Sequence, residues 1–213
     1  TANANDFSMI ARLLPYMEQQ GLYSTLNMSM GYNIEHNGTA SSTKVATFLC
    51  PSDGTTIARG VTNYPGHDFG DCNYGNNIGT LHTLYGGRFD GPAYMTGTGG
   101  VAYGGTTTIA SVTDGTSNTA MFSEWVKGPF STRTGKQMVY TISATYTAPG
   151  TPAAAAGANG VADAIRTLSA SCQASTTIGA QTSKGFSWAS QGCGVGGCYS
   201  HVNTPNKLSC MFS

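Results

Sequence analysis

The stretch from Asn5 to Leu26, NDFSMIARLLPYMEQQGLYSTL, decides which kind of element opens the fold. Its first apolar residues recur with the i, i+3, i+4, i+7 spacing of one helix face: Phe7, Ile10, Ala11 and Leu14. We therefore predict an amphipathic helix with Asp6 as its N-cap. Because Pro15 lacks an amide proton, we expect a kink or break there, then a second short helix that runs through Gln20 and stops at Gly21.

Strand patterns outnumber helical patterns after residue 40. VATFLC (Val45–Cys50) is typical of a buried strand that ends in a PSDG turn, and Ala120–Val126 alternates like a half-buried strand after a tight turn at Asp114-Gly115. KQMVYTISATY (136–146) is a further strand candidate, and VADAIRTLSASC (161–172) indicates a short helix. Strands therefore supply most of the regular structure behind the opening helix.

One long segment, residues 62–100, is dense in Gly, Asn and Tyr and shows no regular pattern. Such long loops usually carry contacts or function. We predict one α+β domain over residues 1–213, in which the helix, kinked or broken at Pro15, packs on an antiparallel β-sheet with long loops. Its parts are a helical entry segment (1–30), the sheet and long loops (44–147), and a low-complexity loop followed by a disulfide-rich region (148–213).

The composition excludes several classes of partner. Only 9% of the 213 residues are charged and the formal net charge is zero, which leaves no basic surface for nucleic acid or anionic lipid. No apolar run approaches the length of a membrane span. A surface of hydroxyls, glycines and tyrosines with little charge repulsion suits dense packing outside the cell, so we expect an extracellular or cell-surface protein.

The six cysteines are even in number and form no C-x-x-C pattern: Cys50, Cys72, Cys172, Cys193, Cys198 and Cys210. This favours disulfides over zinc-ribbon, thioredoxin-like or haem-attachment chemistry. The glycine-rich stretch between Cys193 and Cys198 predicts a local bridge. A bridge from Cys50 to Cys72 would hold the long loop against the sheet, and Cys172 with Cys210 follows by elimination. Fifteen complete pairings leave this assignment open.

His201 lies close to two cysteines, so a metal site and a nucleophilic site both have to be considered. Zinc would need Cys193, Cys198, His201 and Cys210 to converge, and their spacing matches no common finger. A reactive thiol would need an electropositive pocket, which this nearly uncharged segment does not indicate. No Ser/His/Asp signature, phosphate-binding loop or pair of catalytic carboxylates is apparent. The sequence therefore predicts a noncatalytic protein.

Calcium is the one cofactor that the sequence leaves open. The candidate ligands are Asp114 and Asn118 in TDGTSN, with further oxygen donors among the other aspartates: Asp53, Asp68, Asp71 and Asp90. The EF-hand spacing is absent. Because Asp and Asn side chains commonly bond to the backbone of their own turn, turn chemistry explains TDGTSN better than a metal site does.

Six stretches, in order, resemble a large family of secreted bacterial proteins that is especially numerous in planctomycetes and carries a prepilin-type cleavage and methylation signal. They are ARLLPYMEQQGLY, FLCPSD, TNYPG, TDGTSNTAMFSEW, KGFSW and YSHVNTPNKLSC. The resemblance implies a pilin-like architecture, export and a structural or surface-associated role, with no enzymatic activity to carry over. The apolar stem expected before Thr1 and the closing strands expected after Ser213 are not part of this sequence.

Three hypotheses follow for the function. The first is an extracellular structural subunit, pilin-like or pseudopilin-like, whose partners are copies of itself or other subunits of a filament or surface assembly. The second is a surface module that binds a glycan or calcium, with tyrosines between Tyr64 and Tyr103 stacking on the ligand. The third and least favoured is an enzyme that uses Cys193 or Cys198 with His201.

Overall fold

The structure is a computed structural model of the chain. It describes residues 6–55, 62–64, 67–80, 91–93, 97–98, 101–102, 107–128, 135–142, 160–179, 184–193 and 195–212. These residues form a mixed α+β fold of short helices and small sheets. Parts of the predicted long loop, 62–100, and the low-complexity stretch 148–159 lie outside the described residues.

The helices are short apart from the last one. Their bounds are α1 Met9–Leu13, α2 Gln20–Thr25, α3 Glu35–Ser41 and α4 Gly160–Ala174, with 3₁₀ turns at Leu14–Met17, Ala46–Phe48 and Ile109–Ser111. The predicted helix before Cys172 is thereby confirmed as α4. No helix of the described residues is long and apolar enough to cross a bilayer.

The described strands form four small sheets rather than one antiparallel sheet. Their bounds are β1 Thr62–Tyr64, β2 His67–Asp68, β3 Tyr74–Asn77, β4 Gly97–Thr98, β5 Val101–Ala102, β6 Phe122–Glu124, β7 Val139–Ile142, β8 Cys198–Tyr199 and β9 Ser209–Phe212. The three-stranded sheet has the order β6-β3-β8, and β1-β2, β4-β5 and β7-β9 are two-stranded. Since β8 runs parallel to β3 and β9 parallel to β7, the predicted all-antiparallel arrangement is wrong.

The opening segment is helical and breaks at the proline, as predicted. Pro15 occupies the first turn of the 3₁₀ helix that follows α1, where its missing amide proton costs nothing. The cap is Ser8 rather than Asp6, because the Ser8 hydroxyl accepts a hydrogen bond from the amide of Ala11. Gly21 lies inside α2, which continues to Thr25, so the predicted stop at Gly21 is wrong.

Trp188 is the centre of the main hydrophobic core. It is 0% exposed, and its indole Nε1 donates to the Thr43 carbonyl at 2.8 Å. The buried side chains that pack around it come from several parts of the chain: Phe7, Ile10, Ala11, Leu14, Leu26, Ala40, Val45, Phe48, Cys72 and Ala189. The Ser8 hydroxyl also donates to the Trp188 carbonyl. The N-terminal and C-terminal parts of the chain therefore share one core.

VATFLC is not a strand. Ala46–Phe48 is a 3₁₀ turn, flanked by the extended residues Val45 and Leu49. Val45 and Phe48 are nevertheless buried in the core. A short run of apolar residues fits a buried turn as well as a buried strand. The apolar pattern alone therefore could not distinguish the two, and the predicted strand is wrong for this reason. The PSDG turn that follows is confirmed, with the Asp53 amide donating to the Cys50 carbonyl at 3.1 Å.

Two of the three predicted disulfides form. Cys193 is bridged to Cys198, and Cys172 is bridged to Cys210. The second bridge joins α4 to β9 beside a small apolar cluster of Ile142, Leu168 and Cys172, with Val202, Leu208 and Cys210 packed against it. A bridge of this kind stabilises the fold mainly by restricting the unfolded chain.

The predicted bridge between Cys50 and Cys72 is wrong, because both residues are free thiols. The Cys72 side chain points into the core, where its Sγ lies 3.6 Å from the Gly196 carbonyl oxygen. Cys50 is half-buried at the start of the PSDG turn, where its backbone amide donates to Asn73 Oδ1 at 3.0 Å. The Cys72 sulfur is therefore enclosed by the core, whereas Cys50 stays outside the core cluster.

Peptide mapping of the folded protein under nonreducing conditions should identify the Cys172–Cys210 and Cys193–Cys198 bridges and two thiols. With iodoacetamide, the half-buried Cys50 should be alkylated in the native protein, whereas the fully buried Cys72 should react only after urea unfolding. A peptide that joins Cys50 to Cys72 would contradict the structure.

Candidate functional site

Five polar residues from distant parts of the chain meet beside the main core and form what we call the polar cluster: Asp53, Asp71, Asn73, Lys127 and Lys184. Four of them are buried and Asp53 is half-buried. Burying polar and charged groups is costly unless each finds a partner. In a chain with so few charges, two buried lysines mark this cluster as the most unusual chemical environment among the described residues.

Asn73 is 0% exposed, and its backbone amide and both polar atoms of its side chain form hydrogen bonds. Its Oδ1 accepts from the Cys50 amide at 3.0 Å, and its Nδ2 donates to Asp53 Oδ2 at 2.6 Å and to the Trp125 carbonyl at 2.9 Å. Its own amide donates to the Phe48 carbonyl at 2.8 Å. One side chain therefore holds the PSDG turn and the end of β6 together.

Asp53 accepts the second set of hydrogen bonds in the polar cluster. Its carboxylate accepts from the Thr55 amide at 3.0 Å and from the Lys127 amide at 2.9 Å, in addition to Asn73. Burial by itself would raise the pKa of Asp53, but these hydrogen bonds stabilise the charged form and lower the pKa below its usual value. Asp53 is thus held as a carboxylate whose oxygens bind the protein itself.

Lys127 and Asp71 form a buried ion pair. Lys127 Nζ lies 2.6 Å from Asp71 Oδ2, and only 6% and 11% of the two side chains are exposed. The second carboxylate oxygen, Asp71 Oδ1, is buried and has no hydrogen-bond partner. A lysine and an aspartate in this setting need each other, because removal of either one would leave an unpaired charge in the interior.

Lys184 is a buried amine, and no carboxylate of the described residues is among its hydrogen-bond partners. Its Nζ donates to the Lys136 carbonyl and, at 3.1 Å, to the Ser209 hydroxyl. Loss of hydration on burial lowers the pKa of Lys184 to about 8, although the charge of Asp53 acts in the opposite direction. The side chain therefore joins β9 to Lys136, three residues before β7, at an electrostatic cost.

Glycines allow the two tryptophans to lie directly on the segment that carries Asn73. A Cβ on Gly70 would overlap the indole of Trp188, and a Cβ on Gly75 would overlap the ring of Trp125. Trp125 Nε1 also donates to the Cys72 carbonyl at 3.0 Å. Tyr74–Asn77 therefore forms the strand β3 within the predicted irregular loop, although its composition has little strand preference.

The predicted site residues near the C-terminus do not assemble into a reactive centre. The sulfurs of Cys193, Cys198 and Cys210 are held in disulfides, so none is a thiolate for zinc or for nucleophilic attack. His201 is exposed, and its Nδ1 lies 3.4 Å from the Tyr199 hydroxyl.

The calcium candidates Asp114 and Asn118 lie in an exposed turn. Asn118 Nδ2 donates to the Asp114 carbonyl at 2.9 Å, and Gly115 has the positive φ of 83° that the turn requires. Within the described ranges, no three His, Cys, Asp or Glu side chains are grouped to hold a metal ion. Asp90 lies outside the described residues, as do the tyrosines Tyr85, Tyr94 and Tyr103 of the predicted ligand-stacking set.

Sequence reasoning missed Asn73, Lys127 and Lys184. A signal was present, because both lysines immediately precede a glycine in stretches with a tryptophan, SEWVKG and KGFSW. Gly185 has a φ of 75°, and its carbonyl accepts from the Cys72 amide at 2.8 Å. A lysine locked into such a backbone has less freedom to reach solvent.

The lowered pKa of Lys184 predicts an unusual pH dependence. In the unfolded chain this lysine titrates at about 10.5, and in the folded protein at about 8. Between these values the unfolded state binds more protons, so the free energy of unfolding should rise with pH. Above about pH 9 the Cys72 thiol, whose pKa burial raises to about 12, ionises only in the unfolded state and opposes the rise.

Urea unfolding should therefore show a gain of about 1 kcal/mol between pH 8 and 9, since one pKa unit corresponds to about 1.4 kcal/mol. The Lys184→Met variant keeps the apolar stem and should lose this gain. Equal pH dependence in the variant and the parent would show that another group is responsible.

The polar cluster joins FLCPSD, SEWVKG and KGFSW, which are far apart in the sequence. No curated protein and no solved structure matches the chain. One family model, described as "Protein of unknown function (DUF1559)", matches residues 1–206. Because this match covers nearly the whole chain, the protein belongs to this bacterial family.

Proposed function

We propose that the chain is a noncatalytic extracellular structural subunit, a pilin-like or pseudopilin-like head that associates with copies of itself or with other subunits of a surface assembly. The observation that carries the proposal is that the hydrogen-bonding atoms of the polar cluster bind other parts of the same chain. The side chains of Asn73 and Asp53 form hydrogen bonds with backbone groups and with each other. Such an arrangement holds chain segments in place and leaves few hydrogen-bond donors or acceptors of these two residues to bind a substrate.

The two disulfides support a location outside the cytoplasm, where bridges of this kind persist. The opening helix, whose apolar face packs on Trp188, is the element that a pilin-like head would place behind its sheet. The third hypothesis, an enzyme built on Cys193 or Cys198 with His201, loses support because both sulfurs are consumed by a bridge.

The strand β6 offers a surface for association between copies. It is an edge strand of the three-stranded sheet formed by the described strands, and three of the largest exposed apolar side chains lie on or beside it: Met121, Phe122 and Val126. Exposed apolar strand edges favour pairing with another chain. Because the net charge is zero, a second copy would meet little electrostatic repulsion. We therefore assign this edge to self-association.

Negative-stain microscopy and sedimentation velocity on the purified chain, over a range of concentration and salt, test the proposal. We expect ordered assemblies of the parent chain and loss of assembly in a Met121→Lys, Val126→Lys double variant. Ile109→Lys is the matched control, since Ile109 is an 82% exposed apolar side chain outside β6.

Dispersed monomers of the parent chain under every condition would contradict the structural role. If the double variant assembled like the parent, self-association would remain but the assigned edge would be wrong. Thermal unfolding of all three proteins shows whether the lysines have disturbed the fold rather than the contact.

A further inference from the structure

The ion pair between Lys127 and Asp71 brings an amine and a carboxyl group into direct contact in the interior. Lys127 Nζ lies 2.6 Å from Asp71 Oδ2, and the carboxyl carbon is one bond farther on. Their backbones are separated by 56 positions, so the contact joins the residue before Cys72 to the segment that follows β6. Two further hydrogen bonds join the same segments, from Asn73 Nδ2 to the Trp125 carbonyl and from Trp125 Nε1 to the Cys72 carbonyl.

Burial makes the charged pair costly. The two side chains are almost fully withdrawn from solvent, and Asp71 Oδ1 has no hydrogen-bond partner. Removing an ammonium and a carboxylate from water carries a penalty of several kcal/mol per ion, which their attraction repays only when every remaining lone pair is satisfied. An amide in the same place would carry no charge, so it would avoid this penalty.

Proximity and exclusion of water favour the same product. Reacting groups held at contact distance behave as if present at about 10⁵ M or more. Hydrolysis of a new amide would need a water molecule beside it, in a region where the side chains are 6% and 11% exposed. The fold therefore favours formation of a bond here and protects it afterwards.

We propose that Lys127 and Asp71 are joined by an intramolecular isopeptide bond. One ammonium proton passes to the carboxylate, which gives a neutral amine and a carboxylic acid. Lys127 Nζ attacks the Asp71 carboxyl carbon, a carbon–oxygen bond breaks, and that oxygen leaves as water with the acid proton and one amine proton. An ammonium and a carboxylate thus become one amide and one water, with no other reactant required.

The bond would close a covalent ring of residues 71–127, which contains Asp71, Asn73 and Lys127 of the polar cluster. It would keep the segment that carries Asp71 and Asn73 attached to the segment after β6 even when the hydrogen bonds between them are broken. The inference concerns the fold of a single chain and does not rest on the proposed assembly, so either can fail without the other.

Intact-mass spectrometry of the reduced, denatured protein tests it. We expect the folded chain to be one water molecule lighter than its sequence, and a digest to contain a branched peptide that carries both Lys127 and Asp71. Lys127→Arg should have the full mass of its sequence. Asp71→Asn should form the same bond with loss of ammonia, so that its crosslinked product has the same mass as the crosslinked parent.

The arginine variant separates this bond from a succinimide, which also loses water and forms readily at Asp-Gly pairs such as Asp53-Gly54 and Asp114-Gly115. Loss of water that persists in Lys127→Arg would overturn the proposal. So would the full sequence mass in a parent chain whose Cys72 is protected from iodoacetamide, since that protection shows that the fold has formed. The pair would then be an ordinary buried ion pair.

Discussion

The side chain of Asn73 makes the hydrogen bonds on which the rest of the structure depends. It is fully buried and connects three parts of the chain at once, through the Cys50 amide, the Asp53 carboxylate and the Trp125 carbonyl. Strands of three or four residues have too few ladder bonds to define their own position. A buried amide with several partners of fixed geometry supplies that definition, because any other register would leave its donors and acceptors unpaired.

This constraint explains why stretches scattered along the chain belong together. FLCPSD supplies the turn that Asn73 holds, SEWVKG supplies Trp125 and Lys127, and KGFSW supplies Lys184 and Trp188. Residues from each stretch therefore belong to the polar cluster or to the core beside it. The chemistry concentrated there stabilises a fold whose sheets are small. Fixing this much polar surface in the interior costs free energy, and the hydrogen bonds of Asn73 and Asp53 offset part of that cost.

The sequence predicted several features that depend on local chemistry, although the local predictions of a cap at Asp6 and a stop at Gly21 are wrong. The break at Pro15, the turn at Gly115 and the helix before Cys172 follow from backbone preferences that act within a few residues. The strand Tyr74–Asn77 could not be predicted, because it forms where tryptophans pack on glycines from distant segments. The burial of Lys127 was equally hidden, since its partner is 56 positions away and lysine is usually a surface residue.

The free energy of unfolding of Asn73→Ala, measured by urea titration against the parent, tests the central claim most directly. The account predicts a loss of about 3 kcal/mol or more, because the variant leaves a buried amide, a carbonyl and a carboxylate without their partner. Asn118→Ala, which removes one exposed hydrogen bond within a turn, should cost less than about 1 kcal/mol. Equal, small losses in the two variants would contradict the claim that Asn73 organises the fold.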